Sequence, residues 1–262
     1  MTIIFFMATN LTRDDRARYD WQLGVHGFGE AGQAKLKGAT VLVSRIGGVG
    51  GTLAYQLAAA GVGKLILAHA GNLRVGDLNR QLLMSHARIG QRRVEQAAQR
   101  LREFNPLIAI ETVAENISEQ NVDRLVGRAD AVASCAPLFT ERLLLNQAAV
   151  RRGKPLVDCA MYEFEIQLVT VVPGRTPCLA CLYPHEPPAW QRRFPVFGAV
   201  AGTVGCLGAL EIVKILSGLG EPPDGRMLVG DLRTMMFRSV QLRRDAHCPV
   251  CAARFARPSP AE

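Results

Sequence analysis

The sequence predicts an α/β fold: a doubly wound, mostly parallel sheet, preceded by a helical arm and finished by antiparallel strands and a cysteine knuckle. Three observations carry this. Short apolar runs alternate with longer amphipathic segments from about residue 40 to 158. An apolar run passes through a glycine-rich turn into a helical pattern in VLVSRIGGVGGTLAYQLAAAGVGKLILAHAG, residues 41–71. After residue 160 the alternation gives way to strand-like runs and two C-x-x-C pairs.

Residues 11–37 are polar and helix-prone, which predicts an N-terminal arm. Strands are expected at 40–44, 64–69, 107–113, 130–135 and 155–158, and helices at 49–60, 91–104, 118–127 and 138–151. Strands alternating with helices imply crossover units and a parallel sheet. A glycine turn between the first strand and its helix makes that sheet Rossmann-like. Further on, IQLVTVV (166–172), RMLVGDL (226–232) and FRSVQLR (237–243) read as strands. Between the first two lies GAVAGTVGCLGALEIVKILSGLG, 198–220, long enough to span a bilayer but carrying Glu211 and Lys214, which argue against a span. Its glycines at 198, 202, 205 and 208 predict a helix pressed closely on a neighbour. The proline-bearing stretch 182–198 reads as a loop, and the whole chain, 1–262, as one unit: arm 1–38, core 39–175, and loop, helix, strands and tail 176–262.

Composition removes several classes. Hydrophobic residues make up 48%, which supports a real core and excludes disorder. The net charge of +8 comes mainly from arginines spread along helices, and only 6% of residues are aromatic. Nucleic-acid binding would need a concentrated basic stripe with stacking rings, so it is not expected. The N-terminal IIFFMA is too short, and lacks a preceding basic residue, for a secretory signal. A cytoplasmic location and no membrane association are the expectation.

Four of the seven cysteines form Cys178-Leu-Ala-Cys181 and Cys248-Pro-Val-Cys251. Two such knuckles supply four thiolates at adjacent corners of a tetrahedron, the pattern of a closed structural zinc site. It would pin the C-terminal tail to the loop after the strand at 166–172. Free thiols or disulfides are the competing reading, and a reducing compartment disfavours the second. Cys135, Cys159 and Cys206 sit in apolar contexts and are expected to be buried as small hydrophobes.

The glycine turn reads Arg45-Ile46-Gly47-Gly48-Val49-Gly50, so an arginine stands at the first glycine of a G-x-G-x-x-G pattern. The second strand should end in an acid that grips ribose hydroxyls. Here it ends in His69, with Gly71 two residues on. A nicotinamide dehydrogenase is therefore disfavoured, and a fold retained without its ligand stays open.

RYDWQLGVHGFGEAGQAKLKGATVLV, GGVGGTLAYQLAAAGVGKL, DLNRQLL, IGQRRVE, FNPLIAI and the paired C-x-x-C motifs together resemble the ThiF/MoeB/HesA family, relatives of the ubiquitin-activating enzymes. The resemblance runs from about residue 15 to the last zinc cysteine. It implies a structural zinc, a two-fold dimer, and the use of ATP and magnesium to adenylate the C-terminal glycine of a ubiquitin-like sulfur carrier. Gly47, Gly48 and Gly50 match the family's glycine turn. Arg80 and Gln81 match a pair that faces the triphosphate, with Asn79 at a position often polar. Cys178, Cys181, Cys248 and Cys251 match the zinc ligands.

The departures fall on the chemistry. Arg45 replaces a glycine, His69 the ribose-binding aspartate, Gly71 an acid, and Arg93 the catalytic lysine. Pro137 stands where a magnesium-binding aspartate belongs, and Trp21 where an arginine reaches the partner subunit's nucleotide. The loop 182–198 has no cysteine for a thioester step. Magnesium needs hard oxygen ligands, and a lost electrostatic group at a phosphoryl centre commonly costs about a hundredfold in rate. The departures speak against ATP and magnesium as ligands. They leave Arg80 and Arg93 as the remaining candidates for a catalytic role. Arg45, Arg80 and Arg93, joined by His69, would make a basic cleft suited to a carboxylate tail or a phosphate. Alternatively, Arg45 points to solvent or fills the vacated cleft, making a local ion pair.

Two functional classes result. One is a zinc-bearing pseudoenzyme that docks a protein or peptide, as a homodimer or paired with an intact ThiF-like subunit. The other is a working adenylyltransferase for a ubiquitin-like carrier, in which Glu141 or Asp77 rescues metal binding.

Overall fold

The computed structural model describes residues 10–187, 195–220 and 225–255. The N-terminal IIFFMA and part of the expected loop at 182–198 lie outside these residues. Eight strands form one sheet: β1 Thr40–Ser44, β2 Lys64–Ala68, β3 Ala109–Val113, β4 Ala131–Ser134, β5 Leu156–Tyr162, β6 Glu165–Val171, β7 Arg226–Asp231 and β8 Met236–Gln241. Their order is β3-β2-β1-β4-β5-β6-β7-β8. The first five are parallel and the last three join antiparallel. The sheet is Rossmann-like, as the alternation predicts.

The helices are α1 Arg13–Leu23, α2 Gly29–Gly38, α3 Gly48–Ala60, α4 Arg93–Phe104, α5 Val122–Gly127, α6 Phe139–Arg152, α7 Leu179–Leu182, α8 Gly198–Ser217 and α9 Ala252–Phe255. Side chains alternate across each strand, so the sheet serves two cores. Val41, Val43, Leu65 and Leu67 pack with Leu36 of α2, Leu53 and Leu57 of α3, Leu101 of α4 and Ile212 of α8. Leu42, Ile66, Val132 and Leu156 pack on the other face with Leu125 of α5, Leu145 of α6 and Leu179 of α7. Burial on both faces is why β1 and β2 read as unbroken apolar runs.

The expected arm divides into α1 and α2. Thr12 and Asp15 make reciprocal hydrogen bonds that start α1. Tyr19 accepts a hydrogen bond from the Asn105 amide (2.9 Å), which fastens the arm to the end of α4. At the other end of the chain β5 outruns its expected limit of 158, because it pairs with β6 as far as Tyr162 and Glu165.

α8 is, among the described residues, the helix long and apolar enough to cross a membrane, and half of that stretch is buried inside this fold. It lies on α3 at backbone distance. A Cβ at Gly205 would come within 2.7 Å of the Val49 carbonyl, and one at Gly208 within 2.3 Å of the Cys159 sulfur. Gly198 is equally crowded, against the Asn79 carbonyl (2.5 Å). Gly202 departs from the expectation: its nearest neighbour, Thr52, would lie at an ordinary 3.8 Å. Cys206 departs as well, since it faces outward while Cys135 and Cys159 are buried. The helix leaves one side open, and local apolarity does not say which side.

Candidate functional site

The strand order reverses between β1 and β4, and the crevice at the carboxyl ends of these strands is where open α/β sheets place their ligands. A cavity of about 150 Å³ lies there. Of the residues expected in a nucleotide or anion site, Arg45, Gly47, Gly48, His69, Arg80, Gln81 and Arg93 line it. Asp77, Cys135, Pro137 and Met161 complete much of the wall. Gly50 stands behind the turn, and Asn79 beside it, bonding to the Val196 carbonyl (3.4 Å) and to Arg80 (2.7 Å).

The turn itself is tight. The Gly47 amide donates to the Arg45 carbonyl at 2.7 Å. A Cβ at Gly50 would lie 2.4 Å from that same carbonyl and 3.2 Å from the Cys135 Cβ, so this position needs glycine. Arg45 has φ 60°, a left-handed conformation that glycine adopts freely and arginine does not. The backbone thus keeps the shape the missing glycine would take, with a side chain added.

That side chain is buried and its guanidinium forks onto Glu141 of α6. Arg45 Nε donates to Glu141 Oε2 at 2.7 Å, and a second nitrogen donates to Oε1. Both side chains are under one-tenth exposed. Asp77 holds Arg93 through a single oxygen: Arg93 Nη2 lies 2.6 Å and Nε 3.2 Å from Asp77 Oδ2, and Arg80 adds a 3.3 Å contact to Oδ1. Burial pushes the Asp77 carboxyl up, but Arg93 and the Arg74 backbone amide outweigh it and hold it below the usual range.

Three sequence expectations change here. The cleft is not simply basic, because Glu141 and Asp77 neutralise Arg45 and Arg93 inside it. These two carboxylates, considered as substitute metal ligands, are committed to guanidinium groups. His69 does not join the cations either. Burial first, then Arg45 and Arg93, push its pKa down to about 3. It is a neutral imidazole whose Nδ1 has no hydrogen-bond partner among the described residues, as is also true of Gln81 Oε1. Trp21 is not among the cavity residues; it projects from α1, 95% exposed.

The four knuckle cysteines converge from the start of α7 and from the turn that precedes α9. Their sulfurs all lie within 4.8 Å of one another. Cys178 and Cys248 sulfurs are 3.7 Å apart, and those of Cys181 and Cys251 are 3.5 Å apart. A zinc ion about 2.3 Å from each sulfur requires edges of about 3.8 Å, so the cluster fits the metal. It would clip the chain after β6 to the chain after β8, as the spacing predicts. Its floor is apolar: Cys178, Cys248 and Cys251 are buried with Leu145, Leu156 and Val171.

Sequence reasoning did not find Asn146 of α6. It is fully buried, and its Oδ1 accepts the Leu179 amide at 2.9 Å beside the cluster. An asparagine inside a helix carries no local signal of such a place.

The ThiF family matches residues 19–250. Protein HesA, heterocyst, of Trichormus variabilis is 49% identical over 243 residues, covering 92% of this chain and 91% of that protein. Protein HesA of a Nostoc species is 51% identical over 225 residues, covering 86% and 89%. The adenylyltransferase and sulfurtransferase MOCS3 of Sus scrofa is 39% identical over 96% of this chain, which spans 56% of MOCS3. Among solved structures, Escherichia coli MccB with MccA-N7isoASN superposes with a TM-score of 0.81 at 22% identity, covering 94% of this chain and 76% of MccB, a likeness of fold. With the family matched over most of its length, the chain belongs to the ThiF family and is adenylyltransferase-like in build.

Proposed function

We propose that this protein is a pseudo-adenylyltransferase: a zinc-stapled ThiF-family scaffold that docks a protein or peptide partner while its own side chains occupy the cleft its relatives would use for ATP. The observation that carries the reading is the buried, two-pronged Arg45–Glu141 pair at the glycine turn. A triphosphate at that turn would meet a guanidinium already satisfied by a carboxylate. Its negative charge would also lie beside Glu141, a repulsion that the low dielectric of a buried site makes severe. Arg93, at the position of the family's lysine, is likewise held by Asp77. Arg80, 29% exposed, is the cation of the set best able to reach a carboxylate tail or phosphate without breaking a buried pair.

The partner class follows from the relatives. MccB has been solved with MccA, and MOCS3 is named an adenylyltransferase and sulfurtransferase. A peptide or the C-terminus of a ubiquitin-like carrier is therefore the proposed guest. A dimer, with itself or with an intact ThiF-like subunit, is part of the proposal, and a monomer by light scattering at tens of micromolar would remove that part.

One feature favours the second reading, an active enzyme. The Nδ1 of neutral His69, without a hydrogen-bond partner among the described residues, stands where the family places its ribose acid and offers an acceptor for a hydroxyl. The two readings separate in one experiment. Protein, ATP, magnesium and a panel of carrier proteins are mixed, and labelled pyrophosphate is followed into ATP, with ATP binding titrated in parallel. The proposal expects no carrier-dependent exchange. Robust exchange would establish the active enzyme instead.

A further inference from the structure

The zinc-type cluster has a buried neighbour with a polar group left over. Asn146 is wholly enclosed between α6 and α7. Its oxygen is used, accepting the amide of Leu179, the residue next to Cys178, at 2.9 Å. Its nitrogen is not: Nδ2 has no hydrogen-bond partner among the described residues. The bond to Leu179, next in the chain to Cys178, places that nitrogen beside the knuckle, where the metal-ligating sulfurs are the strongest acceptors a bound metal would create.

A buried amide N–H without an acceptor costs about 1–3 kcal/mol. A neutral thiol scarcely relieves this, because its sulfur is a weak acceptor. A metal-bound thiolate carries negative charge and is a far better one. The orientation of Asn146 is thus wasteful with four thiols and favourable with four metal-bound thiolates. The carbonyl end adds a second restraint, since it fixes the backbone that carries Cys178. Outer partners of metal ligands typically change metal affinity by about 10–100-fold.

We propose that Asn146 is an outer-shell residue of the four-cysteine metal site, donating its side-chain N–H to the Cys178 sulfur while its oxygen anchors the knuckle backbone. α6 then joins both ends of the molecule's chemistry. Glu141, which holds Arg45, lies near its start, and Asn146 lies a little over one turn further on.

The direct test is heteronuclear NMR on the full-length protein loaded with cadmium-113 and labelled with nitrogen-15. A scalar coupling between cadmium and one Asn146 side-chain proton is expected, transmitted through the N–H···S bond and the Cys178 sulfur. Absence of that coupling in a cadmium-loaded sample overturns the assignment. Failure to take up cadmium or zinc overturns it together with the metal site itself. Asn146→Asp supplies the second measurement, because it keeps the oxygen that anchors Leu179 and replaces the donor. Chelator competition should show zinc held about 10–100-fold less tightly than in the unaltered protein. A loss below about twofold would mean that the donor does nothing for the metal and would also overturn the proposal.

Discussion

The Arg45–Glu141 pair permits a quantitative test through Glu141→Gln, Arg45→Gly and the two together. Both side chains are under one-tenth exposed, so this is a buried pair. Glu141→Gln leaves a guanidinium that cannot neutralise itself by losing a proton. Stranding one partner of a buried pair costs about 3–5 kcal/mol. Arg45→Gly strands the carboxylate instead, but it also relieves the left-handed backbone at φ 60°. That relief is about 1–2 kcal/mol, leaving a net loss of about 1–4 kcal/mol. The singles therefore sum to about 4–9 kcal/mol. The double variant strands no charge, and its loss should be far smaller than that sum, with a coupling of at least about 2 kcal/mol. Urea unfolding followed by circular dichroism measures all four proteins. ATP titration of the double variant, by calorimetry, then tells whether clearing the turn restores a nucleotide cleft. Single losses below about 1 kcal/mol that add without coupling would mark the pair as no stronger than an exposed one. The reasoning for an internally occupied cleft would then fail.

Metal analysis of purified protein should give one zinc per chain, and Cys248→Ser should lower stability by several kcal/mol because metal binding is coupled to folding; a metal-free protein of full stability would refute this. His69 predicts an acid-sensitive fold. In the folded protein it stays neutral down to about pH 3, whereas in the unfolded chain it gains a proton near pH 6.5. Protons then bind the unfolded state preferentially across that window, so stability falls as pH drops from about 6.5 towards 3. Urea midpoints of His69→Asn should show a shallower decline over this range, and an unchanged slope would contradict the buried neutral imidazole.

Much of this protein is legible in its sequence, for a local reason. Val41 to Ser44 and Leu65 to Ala68 are buried on both faces of the sheet, so continuous apolarity marks them as inner parallel strands. The knuckle cysteines declare themselves because a two-residue spacer already places two sulfurs on one metal. Gly50 marks a turn that admits no Cβ. These features depend on residues a few positions apart, whose geometry the chain itself dictates.

What tertiary structure alone decides is which charge meets which. Arg45, Arg93 and His69 read as a basic cleft, yet Glu141 lies 96 residues from Arg45 and Asp77 lies 16 from Arg93. A side chain's identity reports its charge but not whether a distant segment brings an opposite one, and within a buried site that contact decides whether a cation is available to a ligand. Burial likewise turned His69 neutral, because desolvation depends on everything packed around the ring. Cys206 and Gly202 show the same limit on α8, where an apolar, glycine-rich sequence does not reveal which side meets α3. Asn146 shows it most sharply: nothing in its neighbours along the chain places its amide against the backbone of Leu179, 33 positions away beside the knuckle, and only the packing of α6 on α7 does so.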